Sequence, residues 1–148
     1  AKQHLTNVTW ATPRQDIFEH WDMKGQLKWQ DKPYRYDVKA LKKLSRFDGD
    51  YQEERTWVEG TNVNGHKGWL KGDADYIVFE RLDTWMVVDR AGLQAFVVKT
   101  LESYGWQKGS GLYQIYTRPG RKDKITLIEF KDIPKEHIVE LPKINLLQ

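Results

Sequence analysis

The chain is predicted to fold as a mixed α/β (α+β) domain, a mixed central β-sheet flanked by helices and closed by a C-terminal hairpin. Three observations carry that expectation. Ala74–Glu80 and Thr84–Asp89 are dense in Ile, Val, Phe and Trp, the composition of strands buried on both faces. Tyr34–Leu41 alternates, with Tyr34, Tyr36, Val38 and Ala40 on one side, the period of a strand. Ala91–Tyr104 sets Leu93, Phe96, Val97 and Leu101 at helical spacing.

The remaining elements follow in chain order. Thr12-Pro13 reads as a cap and a first-turn proline, opening a short helix over Arg14–Phe18. Glu19–Lys24 reads as a strand, and the polar Gln26–Lys32 stretch, closed by Pro33, connects it to the strand over Tyr34–Leu41 as an antiparallel hairpin. Asp48-Gly49-Asp50 marks a loop, Thr56–Val63 a strand, and Asn64-Gly65 a turn. Leu112–Tyr116 and Ile125–Phe130 form the closing hairpin around Pro119-Gly120. No repeat or linker divides the 148 residues, so residues 1–148 are read as one domain.

Composition narrows the function classes. Apolar residues make up 39% and charged residues 30%, as in a folded globular chain. No apolar run reaches the roughly 20 residues that cross a bilayer, and no signal peptide is expected. The absence of cysteine removes disulfides, thiolate zinc sites and cysteine nucleophiles, and fits a cytoplasmic location. Net charge is only +3, but the positive charge is clustered. Lys24, Lys28, Lys32, Arg35, Lys39, Lys42, Lys43 and Arg46 face only Asp31 and Asp37 in the same stretch, and Arg118, Arg121, Lys122 and Lys124 form a second group. Such clusters suit a polyanion, though the second alone reads more readily as a solvated surface.

One strand carries polar groups that its apolar setting does not explain. Asp37 and Lys39 lie two apart in Tyr36-Asp37-Val38-Lys39-Ala40 and so project to the same side. Holding a carboxylate and an ammonium there costs desolvation unless something compensates. The hairpin brings Asp22 from the preceding strand toward Asp37, and a hard divalent cation relieves the repulsion of two converging carboxylates. A lysine beside that cation can orient water and stabilise charge developing on a phosphate. The bland alternative is a hairpin bearing ordinary surface ion pairs.

An acidic residue, a spacer and then Asp/Glu-x-Lys on the next strand is the pattern of the PD-(D/E)XK, restriction-endonuclease-like superfamily. His20-Trp21-Asp22 followed by Asp37-Val38-Lys39 resembles it in order and spacing, and looks similar to small phage-encoded members and, more distantly, Holliday-junction-resolving enzymes. The resemblance implies a restriction-endonuclease-like fold and a Mg²⁺- or Mn²⁺-dependent endonuclease that hydrolyses phosphodiester bonds in duplex or branched DNA. It would act in the host cytoplasm if phage-encoded. It also implies that Asp22 and Asp37 hold the metal and that Lys39 is the catalytic lysine. Aspartate at Asp37 replaces the commoner glutamate. The helical acid of many members finds only Asp16 or Glu19 here, and Glu59 is a further candidate ligand or water-positioner.

Lys42, Lys43 and Arg46 are expected to grip phosphates, with Ser45 and His20 able to touch them; a lone strand histidine is more often structural. Asp22-Met23-Lys24 and Glu129-Phe130-Lys131 repeat the acidic-x-Lys form but lack a preceding acidic strand residue at hairpin distance. His4, His66 and His137 show no ligand spacing, no P-loop or nucleophile elbow occurs, and Gly60–Gly72 reads as a backbone-following loop or a plain turn. Trp69 is left open between core and exposed stacking residue. The competing readings are a non-catalytic nucleic-acid-binding or host-takeover protein on the same scaffold, and a ribonuclease. A homodimer would suit paired cuts, without a dimer signature in the chain.

Overall fold

The computed structural model describes residues 4–43, 51–52, 54–62 and 64–143. Eleven strands and one α-helix appear among them: β1 (Thr6–Trp10), β2 (Met23–Gln26), β3 (Tyr34–Lys39), β4 (Lys42–Lys43), β5 (Tyr51–Gln52), β6 (Arg55–Thr61), β7 (Tyr76–Glu80), β8 (Thr84–Asp89), α1 (Arg90–Ser103), β9 (Ile115–Tyr116), β10 (Lys124–Glu129) and β11 (Ile138–Pro142). The chain is thus mixed α+β, with strands outnumbering helices. Arg46, Ser45 and the Asp48-Gly49-Asp50 loop lie outside the described residues.

Six strands make the main sheet in the order β1-β2-β3-β7-β8-β11. It is a mixed sheet: β3 and β7 run parallel, and every other neighbouring pair is antiparallel. A parallel pair needs a long crossover, and the chain between β3 and β7 supplies it, with β6 passing into a second sheet of order β6-β10-β9.

The two faces of the main sheet differ. On one, Ile77, Phe79, Met86 and Val88 pack against Leu93, Val97 and Leu101 of α1 and against Val58 and Ile128 of the second sheet. Burial of this kind contributes roughly 1.5–3 kcal/mol per large side chain. The other face gathers Met23, Leu27, Tyr36, Val78 and Val87 in a smaller cluster edged by Leu5, Val38, Trp85 and Leu141. Tyr36 stacks on Tyr76 there at 5.5 Å.

Several elements stand where the sequence sets them. Thr12 accepts from Gln15 N–H at 3.2 Å while its own N–H donates to Gln15 Oε1 at 2.9 Å, a capping box behind Pro13. The turn it opens is a wide π-type turn over Gln15–Glu19, ended by His20 at φ 59°. That left-handed residue stops the preceding segment from joining the ladder, so the strand expected over Glu19–Lys24 begins only at Met23. The β2–β3 hairpin is antiparallel as expected, and Gly65 supplies the positive φ of 85° for the turn after β6.

Two expectations need correction. β9 and β10 do pair antiparallel, but they do not close the chain; β11 follows and joins the main sheet beside β8. Its sequence, Ile138-Val139-Glu140-Leu141-Pro142, ends in a proline that cannot donate to a ladder, which an edge strand tolerates. Nor are helices found on both faces: among the described residues, α1 is the one α-helix, and the second sheet covers the rest of its face.

Candidate active site

The site is built where β2 parts from β3. Met23 pairs with Tyr36 and Lys24 with Arg35, so one further step along this antiparallel register sets Asp22 opposite Asp37. Asp22 stays tied to the sheet beyond the last ladder pair. Its N–H donates to the Tyr36 carbonyl at 2.7 Å, and its own carbonyl accepts from Ala11 N–H at 2.8 Å. Its side chain then reaches across the opening gap to accept from the Val38 N–H at 2.6 Å. The carboxylate thereby replaces the strand carbonyl that β3 has lost, which fixes its direction.

Asp37 and Lys39 share the face of Ile77 and Phe79, their register partners on β7, while Tyr36 and Val38 turn to the other side. Asp37 is buried, with 4% of its surface exposed, and its carboxyl group lies close enough to that of Asp22 for the two to influence each other's ionisation. The Lys39 ammonium lies 3.0 Å from Asp37 Oδ2 and 4.6 Å above the centre of the Trp69 ring. Trp69 itself is buried against Phe79, which answers the question left open by the sequence: it is a core residue, and its ring is the shelf on which Lys39 rests.

Burial raises the proton affinity of both carboxyl groups. For Asp37 desolvation outweighs the lowering effect of Lys39 and of the Asp22 carboxyl group beside it. For Asp22 desolvation and the neighbouring Asp37 charge outweigh the Val38 N–H. Asp16, on the π-type turn, is raised by desolvation and by the neighbouring Asp22 carboxyl group. Three carboxyl groups, Asp16, Asp22 and Asp37, thus influence one another's ionisation, with Lys39 paired to Asp37. Among the described residues, no group of three or more Asp, Glu or His side chains is arranged to hold a metal ion unaided.

Two separate hollows are lined by members of this cluster. One, of about 330 Å³, is lined by His20, Lys39, Arg55, Trp57, Glu59 and Trp69, among others. The other, of about 520 Å³, is lined by Trp10, Thr12, Pro13, Asp16, Asp22 and Val38 with their neighbours. Glu59 thus shares a cleft with Lys39 from the second sheet. His20 lines the same cleft, and its Nε2 is engaged with the Lys67 carbonyl at 3.0 Å. Glu19 is kept from the cluster by the Trp21 indole, which donates to its carboxylate at 3.2 Å. Of the phosphate-gripping residues expected from the sequence, Lys42 and Lys43 enter as the backbone of β4.

Sequence reasoning did not single out Asp16 over Glu19, nor Trp69 as the partner of Lys39. The Thr12-x-x-Gln15 capping box carried the first signal, since it sets which face of the following turn meets the hairpin. In the Gly60–Gly72 stretch, Gly68 N–H donates to the Gly60 carbonyl at 3.0 Å, and Trp69, the next residue, lies beneath Lys39. In the second basic group, Arg118 is committed to the buried Asp123, whose carboxylate accepts from its side chain and its backbone N–H. Comparison with family models, curated proteins and solved structures finds no significant match to this chain.

Proposed function

We propose that this chain is a metal-dependent endodeoxyribonuclease of the restriction-endonuclease-like kind, hydrolysing phosphodiester bonds in DNA at Asp22, Asp37 and Lys39. The observation that carries the reading is the buried Asp37 carboxyl group, with the half-buried Asp22 carboxyl beside it, held against a single ammonium group. Ionised, the pair bears two negative charges and Lys39 returns one, so the pocket is short of positive charge before Asp16 is counted. Only oxygen ligands are offered, the donor set preferred by Mg²⁺ or Mn²⁺ rather than by softer ions. The residues present therefore fit a hard divalent cation held by Asp22 and Asp37, with Asp16 beside them.

Such a cation, when bound, neutralises phosphate oxygens and acidifies water. The chain's own groups do the rest. The Val38 N–H holds the Asp22 carboxylate in the sheet plane, and the Trp69 ring and Asp37 fix the Lys39 ammonium at the mouth of the cleft. From there Lys39 donates to a phosphate oxygen or to the incoming water, stabilising charge as it develops. Glu59, across the cleft, is suited to orient that water. Water adds to phosphorus, one P–O bond breaks, and a phosphate monoester and a hydroxyl end result.

The test is cleavage of plasmid, four-way-junction and RNA substrates in Mg²⁺, Mn²⁺ or EDTA. Cleavage of DNA with either metal, absent in EDTA and lost in Asp37→Asn and Lys39→Ala, is the expected result. Salt-sensitive DNA binding without cleavage under any ion would instead favour a non-catalytic nucleic-acid-binding protein.

A further inference from the structure

The tip of the β2–β3 hairpin is a pinned, positively charged turn that presents an indole to solvent. Gln30 N–H donates to the Leu27 carbonyl at 3.0 Å, which puts Lys28 and Trp29 at the two central positions of the turn. The Gln30 side chain holds this turn from within. Its Oε1 accepts from Leu27 N–H at 2.8 Å and from the Tyr36 hydroxyl at 2.6 Å. Leu27 is thereby anchored at 3% exposure, while Trp29 stands 53% exposed. A lone exposed ring needs no explanation, but this one is set in positive charge. Lys24, Lys28 and Lys32 are all exposed, and no described residue forms an ion pair with any of them. Asp31 is the one acid between Lys24 and Lys32, leaving the stretch at +2 (three lysines less one aspartate), and it accepts from the Tyr34 hydroxyl at 3.1 Å.

The tip is continuous with the candidate active site along one face of the hairpin. Lys24 pairs with Arg35, two residues before Asp37, so it projects to the side that carries Asp37 and Lys39. Arg35 is turned to Asp75, 3.7 Å away, whereas Lys24 has no such commitment. From Asp22 to Lys28 the chain runs six residues, roughly 20 Å of extended backbone. Along one strand of DNA that length spans about six phosphates. Resting on the nuclease reading, we infer that the hairpin tip is a second DNA contact, remote from the cleaved bond. Lys24, Lys28 and Lys32 take phosphates of a single-stranded segment, and the Trp29 ring lies on one of its bases. Ammonium groups suit phosphate as compact point charges, and basic residues with an aromatic ring among them make a track for single strands. A base inside a duplex is already stacked on both faces and offers none to the indole. An anionic membrane would attract the same lysines, but one indole buries little apolar surface in a bilayer.

The test measures binding rather than turnover. Labelled single-stranded and duplex oligonucleotides of one sequence are titrated with the 148-residue chain in EDTA, at salt from about 50 to 200 mM. Lys28→Ala and Lys32→Ala are each expected to flatten the slope of log affinity against log salt by about 0.7 on the single strand. Trp29→Ala weakens single-strand binding about tenfold, as loss of one base–aromatic stack does, and leaves duplex binding within about twofold; Trp29→Phe keeps most of the affinity. Lys99→Ala, which removes the same charge from the exposed side of α1, stays near the parent in slope and affinity. Unchanged slopes in both tip lysine variants, or an equal loss in Lys99→Ala, overturn the inference. Single-strand binding that survives Trp29→Ala intact does so too, as does binding to phosphatidylserine vesicles that Trp29→Ala abolishes while DNA binding is unaffected. The two readings fail separately. Absence of cleavage under every ion sinks the nuclease and leaves the Trp29→Ala loss measurable, whereas parent-like binding in Trp29→Ala with cleavage intact sinks only the tip contact.

Discussion

The Asp22 carboxylate takes the place of a missing strand neighbour for Val38, accepting its N–H at 2.6 Å where β2 has already turned away from β3. One oxygen is thus spent on the fold, and the group is held beside Asp37 whether or not repulsion favours it. Stability and chemistry are consequently opposed at this residue. Asp22→Asn keeps an acceptor for Val38 and removes a negative charge, so the metal-free protein is expected to melt about 2–4 °C higher at pH 7, corresponding to about 1 kcal/mol in a domain of this size. Asp22→Ala leaves the N–H unpaired and costs about 1–3 kcal/mol. Calorimetry in EDTA checks both; a lower melting temperature for Asp22→Asn would contradict the opposition.

The same pair sets a pH dependence. The carboxyl groups of Asp22 and Asp37 are both raised above their ordinary value of 3.8, chiefly by burial. A raised acid binds its proton more tightly in the folded state than in the unfolded one. Its contribution is therefore full at low pH and is lost as pH climbs from the ordinary carboxylate range through the raised folded value. A divalent cation offsets the loss where the pair is ionised. The melting-temperature increase given by Mg²⁺ is expected to be larger at pH 8 than at pH 5, and an increase independent of pH would place the ion elsewhere.

Asp123 shows the opposite sign, which makes it an internal control. Burial pushes it up, but the side chain and N–H of Arg118 outweigh that and hold it below its usual value. A lowered acid stabilises the fold above the ordinary carboxylate range, and the contribution disappears as pH falls through the folded value. Arg118→Ala is expected to lower the melting temperature at pH 7, with the gap to the parent protein closing as the pH is brought down. DNA cleavage at neutral pH, measured below the melting transition, should be unaffected.

Much of this site can be read from the chain because its parts are local. Asp37 and Lys39 share a face by strand period, and Asp22 meets Asp37 because a short polar connection between alternating segments fixes hairpin register. The long-range parts are not readable in that way. Trp69 reaches Lys39 only because β3 and β7 are parallel neighbours, a pairing between strands 40 residues apart in register (Tyr36 with Tyr76) that no local pattern encodes. β11 escaped notice for a related reason: a short edge strand ending in proline carries little periodicity, and its place is decided by β8. Asp16 and Glu19 look alike in sequence, and the Trp21 indole that claims Glu19 is what separates them.

Lys39 carries a stability role alongside its proposed chemical one. Removing it leaves the Asp37 charge buried without its closest counterion. Because the Lys39 side chain is itself 31% exposed, the cost is expected to be about 1–2 kcal/mol, below that of a fully buried pair. Lys39→Met preserves the apolar stem over Trp69 and isolates the charge. Its destabilisation should shrink on acidification as Asp37 takes up its proton, while cleavage stays lost at every pH. Full activity in Lys39→Met would remove lysine from the reaction.

The shelf under Lys39 depends on a single glycine. A Cβ at Gly68 would lie 2.3 Å from the Glu59 carbonyl oxygen and 2.7 Å from its carbon, contacts with backbone that no rotamer change can relieve. Gly68→Ala therefore has to push the Trp69 segment away from β6, at a cost of about 1–3 kcal/mol for overpacking. Gly105, at φ 75° with no neighbour within 4 Å, provides the comparison, since alanine there suffers only backbone strain of about 1 kcal/mol. Both variants lose stability, but only Gly68→Ala moves the ring that fixes the Lys39 ammonium. Cleavage measured well below both melting transitions should thus fall at least about tenfold in Gly68→Ala, as for a misplaced catalytic group, and stay near the parent rate in Gly105→Ala. Equal rates in the two variants would mean that the Trp69 ring does not position Lys39.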